Sequence, residues 1–72
     1  MPCVGPDGKP TESGIAMLGA LKAGKTSAED IAAATGRPLY RVRSGLRDLV
    51  GAGLASESGE TYALTQAGAA IL

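Results

Sequence analysis

The stretch Arg37-Pro38-Leu39-Tyr40-Arg41-Val42-Arg43-Ser44-Gly45-Leu46-Arg47 carries four of the chain's seven basic residues and no acidic one. Its apolar positions, continued downstream as Leu39, Val42, Leu46, Leu49 and Val50, step by three, four, three and one. That is the stripe of a helix lying with one face on a core. With Val42 as reference and a turn of about 100° per residue, Tyr40, Ser44 and Arg47 point away from the stripe, and Arg41 and Arg43 lie on its flanks. A helix that is dry on one face and basic on the other suits a groove of nucleic acid. A charge run in general is more often a solvated helix face, so its surroundings must decide.

Immediately upstream, Gly36 offers the positive φ that ends a helix, and Pro38 fits the first turn of the next, where its missing N–H costs nothing. The basic helix is therefore expected over residues 38–51. The helix before it starts at Thr26-Ser27-Ala28-Glu29, which fits a capping box: the hydroxyl accepts from the Glu29 N–H and the glutamate reaches back to the cap. Its inner face is Ala28, Ile31, Ala32 and Thr35. Two helices joined by so few residues suit the steep crossing of a helix-turn-helix. Gly45, in the middle of the basic helix, costs about 1 kcal/mol relative to Ala; it faces the packed side and reads as room for a neighbouring helix, with a functional bend as the alternative.

Further out, Thr11 caps a first helix running to about Ala23, with Ile15, Leu18 and Leu21 as its stripe, Met17 at the margin and Gly24 as the stop. Residues 1–10 hold three of the four prolines and read as an irregular arm with a Pro6-Asp7-Gly8-Lys9 turn and Val4 as its packing residue. Downstream, Gly51-Ala52-Gly53 ends the basic helix. Leu54 to Glu57, the turn Ser58-Gly59, and Glu60 to Leu64 then read as a hairpin whose inner face is Leu54, Tyr62 and Leu64. Thr65 caps a last segment, Gln66 to Leu72, and its terminal Ile71 and Leu72 are expected to be packed, either internally or against a partner. The fold class is mainly α with a small β-hairpin: a three-helix core over residues 11–72, a wing and a short C-terminal helix.

Seventy-two residues allow one small domain with an aliphatic core, since Phe and Trp are absent and Ala plus Gly make up a third of the chain. The seven basic and seven acidic residues cancel, so net charge does not mark a nucleic-acid protein; the distribution matters more, since no acidic residue offsets the four arginines between Gly36 and Arg47. Without histidine and with Cys3 as the single cysteine, the chain offers no nucleophilic triad, no His-based metal site and no internal disulfide. No enzyme activity, metal or other cofactor is expected. No apolar run approaches the ~20 residues of a membrane span, and MPCVGPDGKP has neither signal-peptide nor transit-peptide character. A cytoplasmic protein with no membrane contact is expected.

The residues Ser27-x-x-x-Ile31-Ala32-x-x-x-Gly36, Val42-x-x-x-Leu46-x-x-Leu49, Gly53-Leu54, the hairpin, and Leu64-Thr65-x-x-Gly68 occur in an order that resembles the winged helix-turn-helix superfamily, especially its MarR-like transcriptional regulators. The resemblance spans roughly residues 12 to 70. It implies that the third helix enters the major groove of double-stranded DNA, that the second helix touches phosphate with its N-terminus, and that the wing follows the backbone. By position, Tyr40, Ser44 and Arg47 then face base edges, Arg41 and Arg43 reach bases or phosphates, and Arg37 reaches the backbone. Thr26 and Ser27 join hydroxyls to a helix N-terminus, a natural phosphate site beside their capping role.

The wing departs from the family's basic tip, because Glu57-Ser58-Gly59-Glu60 repels phosphate. Either the wing stays off the DNA, or the domain has become a protein-binding or assembly module that meets its partner through Glu57 and Glu60. A monomer makes few phosphate contacts, so a DNA-binding form is expected to be a homodimer built on the first helix, the arm or the Ile71-Leu72 end. A redox sensor acting through Cys3 is a further class, with no neighbouring cationic cluster in the sequence to activate the thiol.

Overall fold

The alternation of caps and apolar stripes produces six elements: α1 (Glu12–Lys22), α2 (Ala28–Thr35), α3 (Leu39–Gly51), β1 (Ala55–Ser58), β2 (Thr61–Leu64) and α4 (Gln66–Ile71). This is a computed structural model, and it describes Gly5 and residues 9–72. Val4, Cys3 and most of the Pro6 to Lys9 turn lie outside the described residues; of the arm, the Gly5 N–H donates to the Lys9 carbonyl at 2.7 Å.

The core is aliphatic throughout. Met17, Leu18, Ile31, Val42, Leu46 and Leu49 are all less than 2% exposed, and Ala20, Leu21, Ala28, Leu54 and Ala55 close around them. Each fully buried side chain of this size contributes about 1.5–3 kcal/mol relative to exposure, so a few residues at the meeting of α1, α2 and α3 dominate the stability of the domain.

On α1 the buried residues are Gly14, Met17, Leu18, Ala20 and Leu21, and all but Ala20 form an i, i+3, i+4, i+7 stripe. Met17 is therefore a core residue and Ile15, expected inside, is 44% exposed. The stripe is rotated from the expected one, and the unbranched, adaptable Met17 takes the core position in place of Ile15. Thr11 caps α1, its hydroxyl accepting from the Gly14 N–H at 3.4 Å.

The cap of α2 is Ser27, whose Oγ accepts from the Asp30 N–H at 3.1 Å, one residue later than the expected Thr26–Glu29 box. Thr26 has another task. Its carbonyl accepts from the Tyr62 N–H at 2.8 Å, and Ser27 bridges Thr61, so this strand-like pairing with β2 excludes Thr26 from the helix and moves the cap on. The other end is as expected: Gly36 has φ 69° and donates to the Ala32 carbonyl at 2.9 Å.

Pro38 is the N-cap of α3 rather than its first helical residue, with extended ψ and no side-chain hydrogen bond. Val42, Gly45, Leu46 and Leu49 are buried as their spacing predicts. Leu39, assigned to the same stripe, is 38% exposed, because it sits on the free first turn and about 60° round from Val42. At the C-terminus Gly53 has φ 79°, and the Leu54 N–H returns to the Leu49 carbonyl at 2.9 Å, closing a Schellman-type turn.

The strands β1 and β2 are antiparallel, with Ala55 opposite Leu64, Ser56 opposite Ala63, Glu57 opposite Tyr62 and Ser58 opposite Thr61. Gly59 and Glu60 therefore form the two-residue loop, one position beyond the expected Ser58-Gly59. Gly59 has φ 62° and no described non-glycine residue has positive φ, which gives the hairpin the type II′ pattern that matches strand twist. Thr65 caps α4 by accepting from the Gly68 N–H at 3.1 Å, and its hydroxyl donates to the Gly53 carbonyl at 2.7 Å. Ile71 and Leu72 are 43% and 39% exposed, so of the two expected packings the internal one is not made, because the short α4 turns only Gly68 fully inward.

Candidate nucleic-acid interface

The buried stripe of α3 determines where its polar residues can go. With Val42, Leu46 and Leu49 locked in the core, Tyr40, Arg41, Arg43, Ser44 and Arg47 are all exposed. Tyr40 and Arg41 form a local pair on the first turn, Arg41 Nε donating to the Tyr40 hydroxyl at 3.3 Å. Arg43 and Arg47 are spaced one turn apart and share a second environment. Both line a cleft of about 300 Å³ between α3, the start of α2 and the wing, and Glu29, Glu57, Glu60 and Tyr62 line it with them.

The wing reaches this position because β2 is tied to residues 26 and 27 by the backbone contacts at Tyr62 and Thr61. The hairpin thereby folds its acidic edge toward the arginines of α3. Arg43 Nη2 lies 3.9 Å from Glu29 Oε1, with both side chains well exposed. A pair in that setting contributes at most about 1 kcal/mol and holds the guanidinium loosely. Among the described residues no polar or charged side chain is buried, so every charge of the cleft remains in contact with water.

Tyr62 stands half-buried in the cleft, opposite Glu57 across the hairpin. Its phenol is pushed above the ordinary tyrosine value, first by its hydrogen bond to Glu57, then by burial and the nearby carboxylate charge, while Arg43 and Arg47 pull it down. A raised phenol stabilises the fold below the unfolded-state value near 10, and that contribution is lost as pH rises through the folded-state value. With Tyr40→Phe removing the other tyrosine, phenolate absorbance is expected to titrate above the usual tyrosine range, and Glu57→Gln is expected to bring the midpoint back down. An unchanged midpoint in Glu57→Gln would show that the carboxylate does not control the phenol.

The residues expected from the sequence thus separate into four settings. Tyr40, Arg41 and Ser44 form an open polar face. Arg43, Arg47 and Ser27 belong to the cleft. Arg37 is drawn toward the protein, its two terminal nitrogens donating to the Thr35 carbonyl and the Ser13 hydroxyl, both at 3.3 Å, so that it ties α1 to the end of α2. Thr26 is exposed and contributes its carbonyl to the wing. Glu29 and Tyr62 were not identified from the sequence as parts of the site; one looked like a cap residue and the other like a core residue, and neither role predicts a contact with α3.

Three helices, a glycine-ended α2 leading directly into α3, and a two-stranded wing docked beside them define a winged-helix-like domain. No protein-family model matches the chain, and no curated protein does. Among solved structures, the chain is similar to an O-methyltransferase, NcsB1 of neocarzinostatin biosynthesis, whose structure was determined in complex with S-adenosyl-L-homocysteine. The TM-score is 0.70 at 32% sequence identity, and the match covers 78% of this chain and 19% of that one. The likeness is therefore to about a fifth of the enzyme's length. No helix among the described residues is long and apolar enough to cross a membrane.

Proposed function

We propose that this chain is a small DNA-binding domain of the MarR-like regulator type, which places α3 in the major groove of double-stranded DNA. The observation that carries the reading is the division of α3 itself. Its Val42-Leu46-Leu49 face is wholly buried, while Tyr40, Arg41, Arg43, Ser44 and Arg47 stand exposed on a helix that the core holds rigid. An arginine on such a helix reaches the O6 and N7 acceptors of guanine with both prongs of its guanidinium, a contact worth about 1–3 kcal/mol of discrimination. Tyr40 and Ser44, one turn apart, add an apolar ring and a hydroxyl to the same face. Catalysis is not part of this reading, and the compartment that goes with it is the cytoplasm.

One domain offers few phosphate contacts, so the binding form is a homodimer with two copies of α3 about 34 Å apart on successive turns of the duplex. Selection of binding sites from a pool of random duplexes is expected to enrich a sequence with guanines in two half-sites. Arg41→Ala and Arg47→Ala are each expected to weaken that complex about 5- to 150-fold, the range of one lost bidentate contact, without moving the melting temperature. A pool that enriches nothing at low salt and tens of micromolar protein sinks the proposal.

A second reading is favoured by the cleft. Three carboxylates face two arginines there, a composition that suits a polar protein surface, and the matched part of NcsB1 belongs to an enzyme. Under that reading the domain is an assembly module. The duplex pool then enriches nothing, and a partner captured by the domain is lost on charge reversal at Glu57 and Glu60.

A further inference from the structure

We infer that the carboxylates of the cleft, Glu29, Glu57 and Glu60, act as specificity determinants by competing with DNA phosphate for Arg43 and Arg47. The inference rests on the DNA-binding reading and explains why a basic helix is set between acidic walls. Two independent segments supply the carboxylates. Glu29 comes from the first turn of α2, where a phosphate would otherwise meet the free N–H groups, and its Oε1 stands 3.9 Å from Arg43. Glu57 and Glu60 come from the wing, which the Tyr62 N–H bond to the Thr26 carbonyl and the Ser27–Thr61 bridge hold against the same end of α2. Two cations and three carboxylates leave the cleft with one net negative charge.

The consequence follows from what drives each kind of binding. Attraction to any duplex comes from neutralising phosphates and releasing their counterions. Arg43, paired with Glu29, gains less from a phosphate than an unpaired arginine, and a phosphate brought to Arg43 or Arg47 also sets a like charge in the cleft lined by Glu29, Glu57 and Glu60. Contact with a guanine edge differs: the acceptors are neutral, sit inside the groove and reward the planar fork of the guanidinium. The acidic walls therefore subtract most from sequence-independent binding and least from base readout. Specificity is the difference between the two, so it rises while total affinity falls. The charges lie in solvent, which makes the competition weak enough for a matching duplex to win.

The test uses the full chain and a labelled duplex of random sequence, titrated over a range of salt concentrations, beside the duplex obtained by selection. Glu57→Gln with Glu60→Gln keeps side-chain shape and removes two charges; Glu29→Gln alone provides a variant outside the wing. Each protein's melting temperature is measured first, and Glu60→Gln, at the exposed turn, serves if the double variant is unstable. Neutralisation is expected to tighten binding to the random duplex roughly three- to tenfold at low salt and to steepen the salt slope by about one to two. Tightening for the selected duplex is expected to be smaller, so the ratio between the two falls. The gain is expected to disappear when Arg43→Ala and Arg47→Ala are added. If the wild type binds the selected duplex but neutralisation leaves random-duplex binding unchanged, the competition is refuted and the DNA reading stands. A gain that survives loss of both arginines also refutes it, since the carboxylates then act on the phosphates alone. If neither protein binds any duplex, the DNA reading falls and this inference falls with it.

Discussion

Gly68→Ala is expected to destabilise the domain by about 1–3 kcal/mol, the cost of forcing a methyl group into a packed site. At roughly 4–8 °C per kcal/mol for a domain of this length, the loss is directly visible as a lower melting temperature. A Cβ at Gly68 would overlap the Leu54 carbonyl oxygen and lie 3.0 Å from the Leu54 carbonyl carbon and from Leu64 Cδ1. Two of those atoms are backbone, and the same Leu54 carbonyl accepts from the Thr65 N–H at 3.3 Å, so it cannot move aside without loosening the cap of α4. The matching control is Gly19→Ala on α1, where a Cβ meets nothing within 4 Å. There the usual helical preference operates alone, and a gain of about 0.5–1 kcal/mol is expected. Equal effects of the two substitutions, followed by thermal melting, would contradict the close approach of α4 to the start of the wing.

Leu46→Ala is expected to cost about 2–5 kcal/mol, the range for a leucine truncated in a core that closes only partly around the gap. Leu46 is wholly buried, on the helix that carries the arginines. Folded domains hold about 0.05–0.15 kcal/mol per residue, or roughly 4–11 kcal/mol for a chain of this length, so one such cavity removes a large share. Urea unfolding measures the loss as a lower midpoint at an unchanged slope. Duplex binding by Leu46→Ala is expected to recover when the temperature is lowered and the folded population returns, whereas that of Arg47→Ala does not. A loss below about 1 kcal/mol would mean that α3 does not rest on this core as described.

Much of this was legible along the chain because it depends on neighbours in sequence. The Val42-Leu46-Leu49 stripe, the positive φ of Gly36 and the Thr65 cap are consequences of helical periodicity and local hydrogen bonding, and each appears where those rules put it. The candidate site was legible to the same extent: once the stripe is buried, the exposure of Tyr40, Arg41, Arg43, Ser44 and Arg47 follows from geometry. What failed lay at the margins of these patterns. Ile15 and Met17 are adjacent to each other's stripe, and a helix of mixed small and apolar residues does not say by itself which edge its neighbours will cover. Thr26 and Ser27 both suit an N-cap; pairing with Thr61 and Tyr62, more than thirty residues away, selects the second.

The sequence by itself determined that three arginines, Arg41, Arg43 and Arg47, would lie on a helix with one dry face, since charge and apolar spacing are set residue by residue and the helix has a single way to bury its stripe. It also determined that the wing would be acidic. Only the tertiary structure decided that these two facts concern the same place. Docking β2 against the start of α2 turns Glu57 and Glu60 toward Arg43 and Arg47 and adds Glu29 from the other side, while Arg37 is drawn away to Ser13 and Thr35. The electrostatic character of α3 depends on distances between segments remote in the chain, and those distances exist only once the core has brought the segments together.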